Sequence, residues 1–349
     1  DILQRRRPTP TIRTMKMATL ISLPTILLFA RGLTAAGQAN AQLILRASHQ
    51  FPGSTGDVRD EMIRIIAREA EAADVGLTIR VYPGQSLYKA VDQWSALVRG
   101  RLDIALMPLD YASGRHPEFS ATLMPGLVKN HEHAGRLNES PFMDDIKAII
   151  NAEGARVLAD TWLAGGFTSS EKCILSPEDV QGQVIRAAGP AFERMMVGAG
   201  ASITSMPSSE IYTAMQTGVL DAASTSSASF VTFRLHEHSV CLTAPGDFGL
   251  WFMYEPVLIG ERTWSRLNSD QQAALLAAGQ IAEDYFFEQA QLLDQQLEEV
   301  FAEAGVEVVR MTQEHTEAWR AIAVETSYKV FAEEVPGGAE LIEKALAVE

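Results

Sequence analysis

Residues 77–111 read L-T-I-R-V-Y-P-G-Q-S-L-Y-K-A-V-D-Q-W-S-A-L-V-R-G-R-L-D-I-A-L-M-P-L-D-Y, and this stretch decides the fold class. Leu77 to Tyr82 alternates as a strand and Pro83-Gly84 breaks it. Val91, Trp94, Leu97 and Val98 mark one helix face, Gly100 stops it, and Asp103 to Met107 is apolar enough for a buried strand. Upstream, Leu43 to Ser48 reads as a strand. Val58, Met62, Ile63, Ile66 and Ala70 then recur at helical spacing, with Gly76 past the end. This β-α-β-α-β rhythm predicts an α/β fold with a largely parallel sheet covered by helices. Ligands of such sheets bind beyond the carboxyl ends of the strands. The first candidate residues are therefore His49-Gln50-Phe51, Tyr82 and Pro108 to Tyr111.

A second unit of the same kind begins near Gly165. Val184 to Ala187, Ser202 to Ser205 and Leu220 to Ser224 read as strands. Helices are expected over Phe192 to Val197 and from Pro207-Ser208-Ser209 to Thr217. Two α/β units in one chain imply two lobes with a cleft between them. From Ser269 a long amphipathic segment carries Leu275, Ala278, Ala282, Tyr285, Phe286, Leu293, Leu297, Val300 and Phe301. It is either one helix of about 50 Å at 1.5 Å per residue or a bent pair.

The first 41 residues are set apart by composition. Met15-Lys16-Met17 precedes an apolar run, Ala18 to Ala30, too short for the ~20 residues that span a bilayer. Ala39-Asn40-Ala41 then offers small residues to a signal peptidase. A buried core helix is the alternative, though no polar face is visible. The expectation is an exported, periplasmic protein cleaved near Ala41-Gln42, with residues 1–14 an extended translation start.

The chain carries a formal net charge of −15, and residues 42 onward hold 23 basic against 43 acidic side chains, a net of −20. So acidic a body argues against nucleic acid or an anionic membrane as partner. Cys173 and Cys241 are either a disulfide, which export permits, or two buried thiols.

Recognisable catalytic signatures are missing. There is no G-x-S-x-G, no H-E-x-x-H, no cysteine pair at metal spacing, and Gly198-Ala199-Gly200 lacks the third glycine of a dinucleotide loop. The pairs His131/His133 and His236/His238 fit solvated helix ends better than a metal site. No catalytic residue, metal or cofactor is therefore expected. Arg186 stands apart. It ends an apolar strand, is followed by the small residues Ala187-Ala188-Gly189, and carries the planar fork that matches a carboxylate. A structural salt bridge is the other reading of this residue.

The segment Pro207-Ser208-Ser209-Glu210-Ile211-Tyr212-Thr213-Ala214-Met215-Gln216-Thr217-Gly218-Val219-Leu220-Asp221 closely resembles the hallmark of the DctP-like substrate-binding subunits of tripartite ATP-independent periplasmic (TRAP) transporters. Further matches follow in the family's order. They are Tyr82-Pro83-Gly84-Gln85-Ser86-Leu87, Gly100 to Ala105, Pro117-Glu118-Phe119, Pro177 to Arg186 and Tyr254 to Leu258. The resemblance implies a two-lobed Venus-flytrap fold with mixed sheets, crossing strands and a lobe-spanning helix. Residues 42–164 with about 252–291 would form lobe I, and 165–251 with about 292–349 lobe II. It implies no enzyme but a monomeric carrier that holds a small organic acid through Arg186 and delivers it to TRAP membrane permease subunits. A receptor feeding a sensor system, or a periplasmic enzyme, are the alternatives.

The sequence departs from acid-sugar binders of that family, which carry a second Arg near the start of the second lobe. Trp162 to Thr168 contains none, and Ser224-Thr225-Ser226-Ser227 stands where they have Asn. One strongly held carboxylate and a hydroxyl-rich rim (Ser224, Thr225, Ser226) are the expectation, with Phe51, Tyr111, Trp162 and Phe167 as cleft aromatics beside Trp94 and Trp251. Glu210 and Tyr212, although inside the hallmark segment, read as a helix-start carboxylate and a packing residue.

Overall fold

Parallel pairing of β1 (Leu43–Ser48) with β2 (Leu77–Tyr82) on one side and β3 (Ile104–Leu106) on the other builds the first sheet of the computed structural model. The structure describes residues 42–54 and 56–349, so the expected signal segment lies outside the described residues. β4 (Ala155–Ala159) belongs to the same sheet. β5 (Trp162–Ser169), β6 (Val184–Arg186), β7 (Ser202–Ile203), β8 (Ala222–Ser226), β9 (Cys241–Ala244) and β10 (Trp251–Tyr254) belong to the second. β11 (Val257–Gly260) returns to the first sheet and β12 (Glu307–Arg310) to the second. The orders are β2-β1-β3-β11-β4 and β12-β9-β5-β8-β6-β7, with β10 paired antiparallel to β5.

Two chain crossings tie the lobes together. β4 leaves the first sheet at Ala159 and β5 enters the second at Trp162. β10 then runs back beside β5 and hands over to β11 through Glu255-Pro256. β10 therefore pairs in the second sheet, whereas the sequence split places most of it in lobe I. The cause is local: Trp251 to Tyr254 align with Gly165 to Trp162 along β5. Gly165 and Gly166 are required there by close approach. A Cβ on Gly165 would stand 2.1 Å from the Thr225 carbonyl oxygen, and one on Gly166 2.0 Å from that of Thr243.

The helices, in chain order, are α1 (Val58–Ala72), α2 (Gln93–Val98), α3 (His131–Asn138), α4 (Pro141–Ala152), α5 (Pro190–Gly198), α6 (Ile211–Gln216), α7 (Ser227–Thr232), α8 (Glu261–Trp264) and α9 (Ser269–Glu303). They continue with α10 (Gln313–Ala323), α11 (Lys329–Glu334) and α12 (Gly338–Leu346). α9 is one uninterrupted helix of 35 residues, about 52 Å long. Its start is fixed by an Asn268–Gln271 capping box. It packs on α1 and β4 of the first lobe and on β5, β9 and β12 of the second. Asp294, on this helix, meets His131 Nε2 of the first lobe at 2.8 Å and accepts from the Ser227 hydroxyl of the second. Cys173 and Cys241 are joined as a disulfide, tying the loop after β5 to β9.

Candidate functional site

Arg186 is the last residue of β6, and its side chain is 1% exposed. Burying a guanidinium is costly unless its donors are satisfied. Nε donates to the Met206 carbonyl at 3.0 Å and Nη1 to the Ser224 carbonyl at 2.7 Å, both within the second lobe. Nη2 donates at 3.2 Å to the hydroxyl of Tyr111, which comes from the first lobe. Among the described residues no carboxylate lies within 4.0 Å of this guanidinium, so the salt-bridge reading fails. Three of a guanidinium's five N–H donors are used and two remain, the number a carboxylate takes in a fork.

Tyr111 is the partner from the facing lobe. Its hydroxyl receives Arg186 Nη2, the Ser208 N–H at 3.0 Å and Gln50 Nε2 at 3.4 Å. A hydroxyl oxygen has two lone pairs, so three donors converge on one acceptor too few. The lobes also meet where Ser209 bonds Gln50 at 3.3 Å and Gln85 at 3.1 Å. The cleft is closed in this structure.

Two buried acids lie near the lobe junction. Asp110, beside Tyr111, is buried, with Oδ1 held by Ser113 and Oδ2 without a hydrogen-bond partner. Burial pushes its carboxyl up to about 7, Glu193 adding to the effect while Ser113 and Arg186 oppose it. Glu255, at the β10–β11 crossing, is buried with both oxygens unpartnered, and burial raises it to about 8 against the pull of Arg59 at 3.8 Å.

Arg59 is a second buried guanidinium that the sequence reading did not select. It is fully buried and paired with Asp57 through Nη2 at 2.8 Å and Nε at 3.0 Å. Its Nη1 reaches Ser229 at 3.0 Å and Ser226 at 3.5 Å across the lobe junction, and its Cζ lies 3.6 Å from the Phe51 ring centroid. Burial works against both charges, yet their mutual attraction leaves Asp57 below and Arg59 above its ordinary value.

The predicted site residues divide. Arg186, Tyr111 and Ser224 come together, the Ser224 hydroxyl turning to the Arg186 carbonyl at 3.4 Å. Ser226 caps α7 and touches Arg59, and Phe51 stacks between Arg59 and His49. Thr225 follows Ser224 on β8, so its side chain takes the opposite face of the strand. Phe167 and Trp162 do not contact Arg186 or Tyr111; each borders another cavity, Trp162 beside Asn138 and Glu283 and Phe167 beside Thr243 and Met311. Phe167 stacks on Trp319 and tilts against Phe192 in the core, and Trp162 packs on Tyr254 and donates to Asn138. β5, which carries both residues, is buried on both faces, so its burial does not separate a cavity wall from core. Tyr212 bonds Glu237 at the surface. His131 and His133 turn to Asp294 and to the Val348 carbonyl, respectively.

Comparison with known proteins follows the same lines. A model of the family described as bacterial extracellular solute-binding protein, family 7, matches residues 66–334. A solute-binding protein of Albidiferax ferrireducens is 38% identical over 302 residues, covering 85% of this chain and 89% of its own. The crystal structure of a TRAP periplasmic solute-binding protein from Rhodoferax ferrireducens with bound malonate superposes with a TM-score of 0.84 at 38% identity. That match covers 86% of this chain and 96% of the other. The sialic acid-binding periplasmic protein of Vibrio cholerae is 26% identical over 305 residues, 86% of this chain and 91% of its own.

Proposed function

Because the chain belongs to the bacterial extracellular solute-binding proteins of family 7, the TRAP type, we propose that it captures a small organic acid by a carboxylate fork on Arg186 and delivers it to a TRAP permease. The observation that carries this reading is a buried guanidinium without an acid partner, placed where the two lobes meet. The ligand's carboxylate supplies the missing counter-charge, and lobe closure removes water so that the ion pair forms at low dielectric. Association of this kind needs binding, orientation and release only, and the reading assigns the protein no catalysis. The malonate in the Rhodoferax relative fits a compact acid. Asp110 and Glu255, buried and raised in pKa, favour a ligand that presents one carboxylate to Arg186 and a hydroxyl or similar donor elsewhere.

The test is isothermal calorimetry of the mature protein against malonate and a panel of hydroxy, keto and sugar acids. Binding of one or more acids, lost in Arg186→Ala while the variant remains folded, is expected. Equal affinity of the variant sinks the assignment of the anchor.

A further inference from the structure

Gly189 sits three residues beyond Arg186, immediately before α5, in the second lobe. Its backbone is extended (φ 177°, ψ 177°), a conformation any residue can adopt. The surroundings impose glycine instead. A Cβ built there would lie 1.5 Å from Asp110 Oδ2, 2.3 Å from its Cγ and 2.7 Å from Oδ1. Asp110 belongs to the first lobe, so the space a side chain would need is filled by the opposite half of the clamp.

α5 begins without a side-chain cap, and Pro190 at its first position has no N–H to offer. Asp110 of the opposite lobe packs against Gly189, immediately ahead of this uncapped first turn. Asp110 itself is buried, and its Oδ2 has no other partner. Loss of water around that oxygen requires the lobes to be shut.

We infer that Asp110 and Gly189 form the seat on which the lobes close, a knob from the first lobe entering a socket that exists only because residue 189 has no side chain. The pair positions Arg186, which lies on the same strand end, against Tyr111 from the same turn as Asp110. Cargo would be enclosed only when this seat is filled. The inference rests on the cleft being a clamp, but not on the identity of its cargo.

The experiment reads closure without cargo. Gln50→Cys and Ser209→Cys, whose native side chains meet across the lobes at 3.3 Å, are introduced together and the rate of cross-lobe disulfide formation is followed. Adding Gly189→Ala should slow trapping by at least about tenfold, the scale expected for one methyl group forced into packed space. Adding Asp110→Ala to Gly189→Ala should return the rate to within about twofold of the parent, since the socket is emptied from the other side. Circular dichroism and melting confirm that each variant is folded. Unchanged trapping in Gly189→Ala overturns the seat, as does a slow double variant that Asp110→Ala does not rescue. Failure of every acid to bind the parent in calorimetry bears on the cargo reading alone.

Discussion

Arg186 and Arg59 are both buried in the region where the lobes meet, yet they are surrounded in opposite ways. Arg59 is locked to Asp57 by two short hydrogen bonds, stacked on Phe51, and extended to Ser226 and Ser229. Arg186 is held by two carbonyls and a phenol, none of which carries a charge. A paired guanidinium braces the fold. An unpaired one is what the proposed capture of an acid requires.

The contrast predicts which function each variant loses. Arg186→Ala should weaken binding of the cognate acid by about a thousandfold, since truncating one side of a buried, hydrogen-bonded charge pair costs roughly 2–5 kcal/mol. Its stability should fall less than that of Arg59→Met, because two buried carbonyls lose a donor but no internal acid is orphaned. Calorimetry and thermal denaturation measured side by side decide it. A large loss of stability with retained affinity would reverse the roles of the two arginines.

Arg59→Met should do the reverse. It strands Asp57 as a buried carboxylate without its partner, a defect that costs roughly 3–5 kcal/mol. Urea unfolding reads the loss directly. Adding Asp57→Asn to Arg59→Met should recover much of it, as the charge left behind is removed. No recovery in the double variant would mean that Arg59 serves something other than Asp57.

The two arginines were unequally legible in the sequence, for a physical reason. Arg186 ends an apolar strand before small residues, so its strand-end position is visible locally. Arg59 lies on the same helical stripe as Ile63, Ile66 and Ala70, a charge on a buried face that helical spacing exposes once it is looked for. Glu255 likewise interrupts an otherwise apolar run from Trp251 to Gly260. The repeating α/β elements were also visible, and β1 and β2 fall where alternation places them. Aromatic side chains were ambiguous, since Phe167 and Trp162 look alike in sequence whether they line a cleft or fill a core. The Asp110–Gly189 contact could not be read at all. It joins residues from different lobes, and neither lobe's local pattern records the other's surface.

Asp110 sharpens the comparison through pH. Its carboxyl sits at about 7 in the closed structure, raised by burial and Glu193 and opposed by Ser113 and Arg186. In an opened, hydrated cleft it should return toward an ordinary value near 3.9. The closed form then binds the extra proton. Closure is favoured most at low pH, weakens as pH rises between those two values, and levels off above about 7. Affinity should fall about seventyfold between pH 5 and 7.5, within the one-proton ceiling of tenfold per unit. Asp110→Asn should flatten the profile, provided the ligand itself does not titrate there. A wild-type affinity that rises over this range would show that Asp110 is ionised when the lobes are shut.

The smallest expected effect tests whether the phenol is part of the anion site or only of the lobe contact. Tyr111→Phe removes the oxygen on which Arg186, Ser208 and Gln50 converge, keeping the ring. If the oxygen served solely to hold the lobes together, closure and affinity would fall together by the worth of one or two hydrogen bonds, roughly tenfold. If instead three donors compete for two lone pairs, freeing them for the ligand offsets part of that cost, and the loss should stay within about threefold. Dissociation rates separate the cases. A faster release with unchanged association marks a lost strap, whereas near-parity marks donors that the bound acid satisfies in the phenol's place. A loss approaching that of Arg186→Ala would mean that Tyr111 supplies the anchor's orientation, and that the guanidinium alone is not enough.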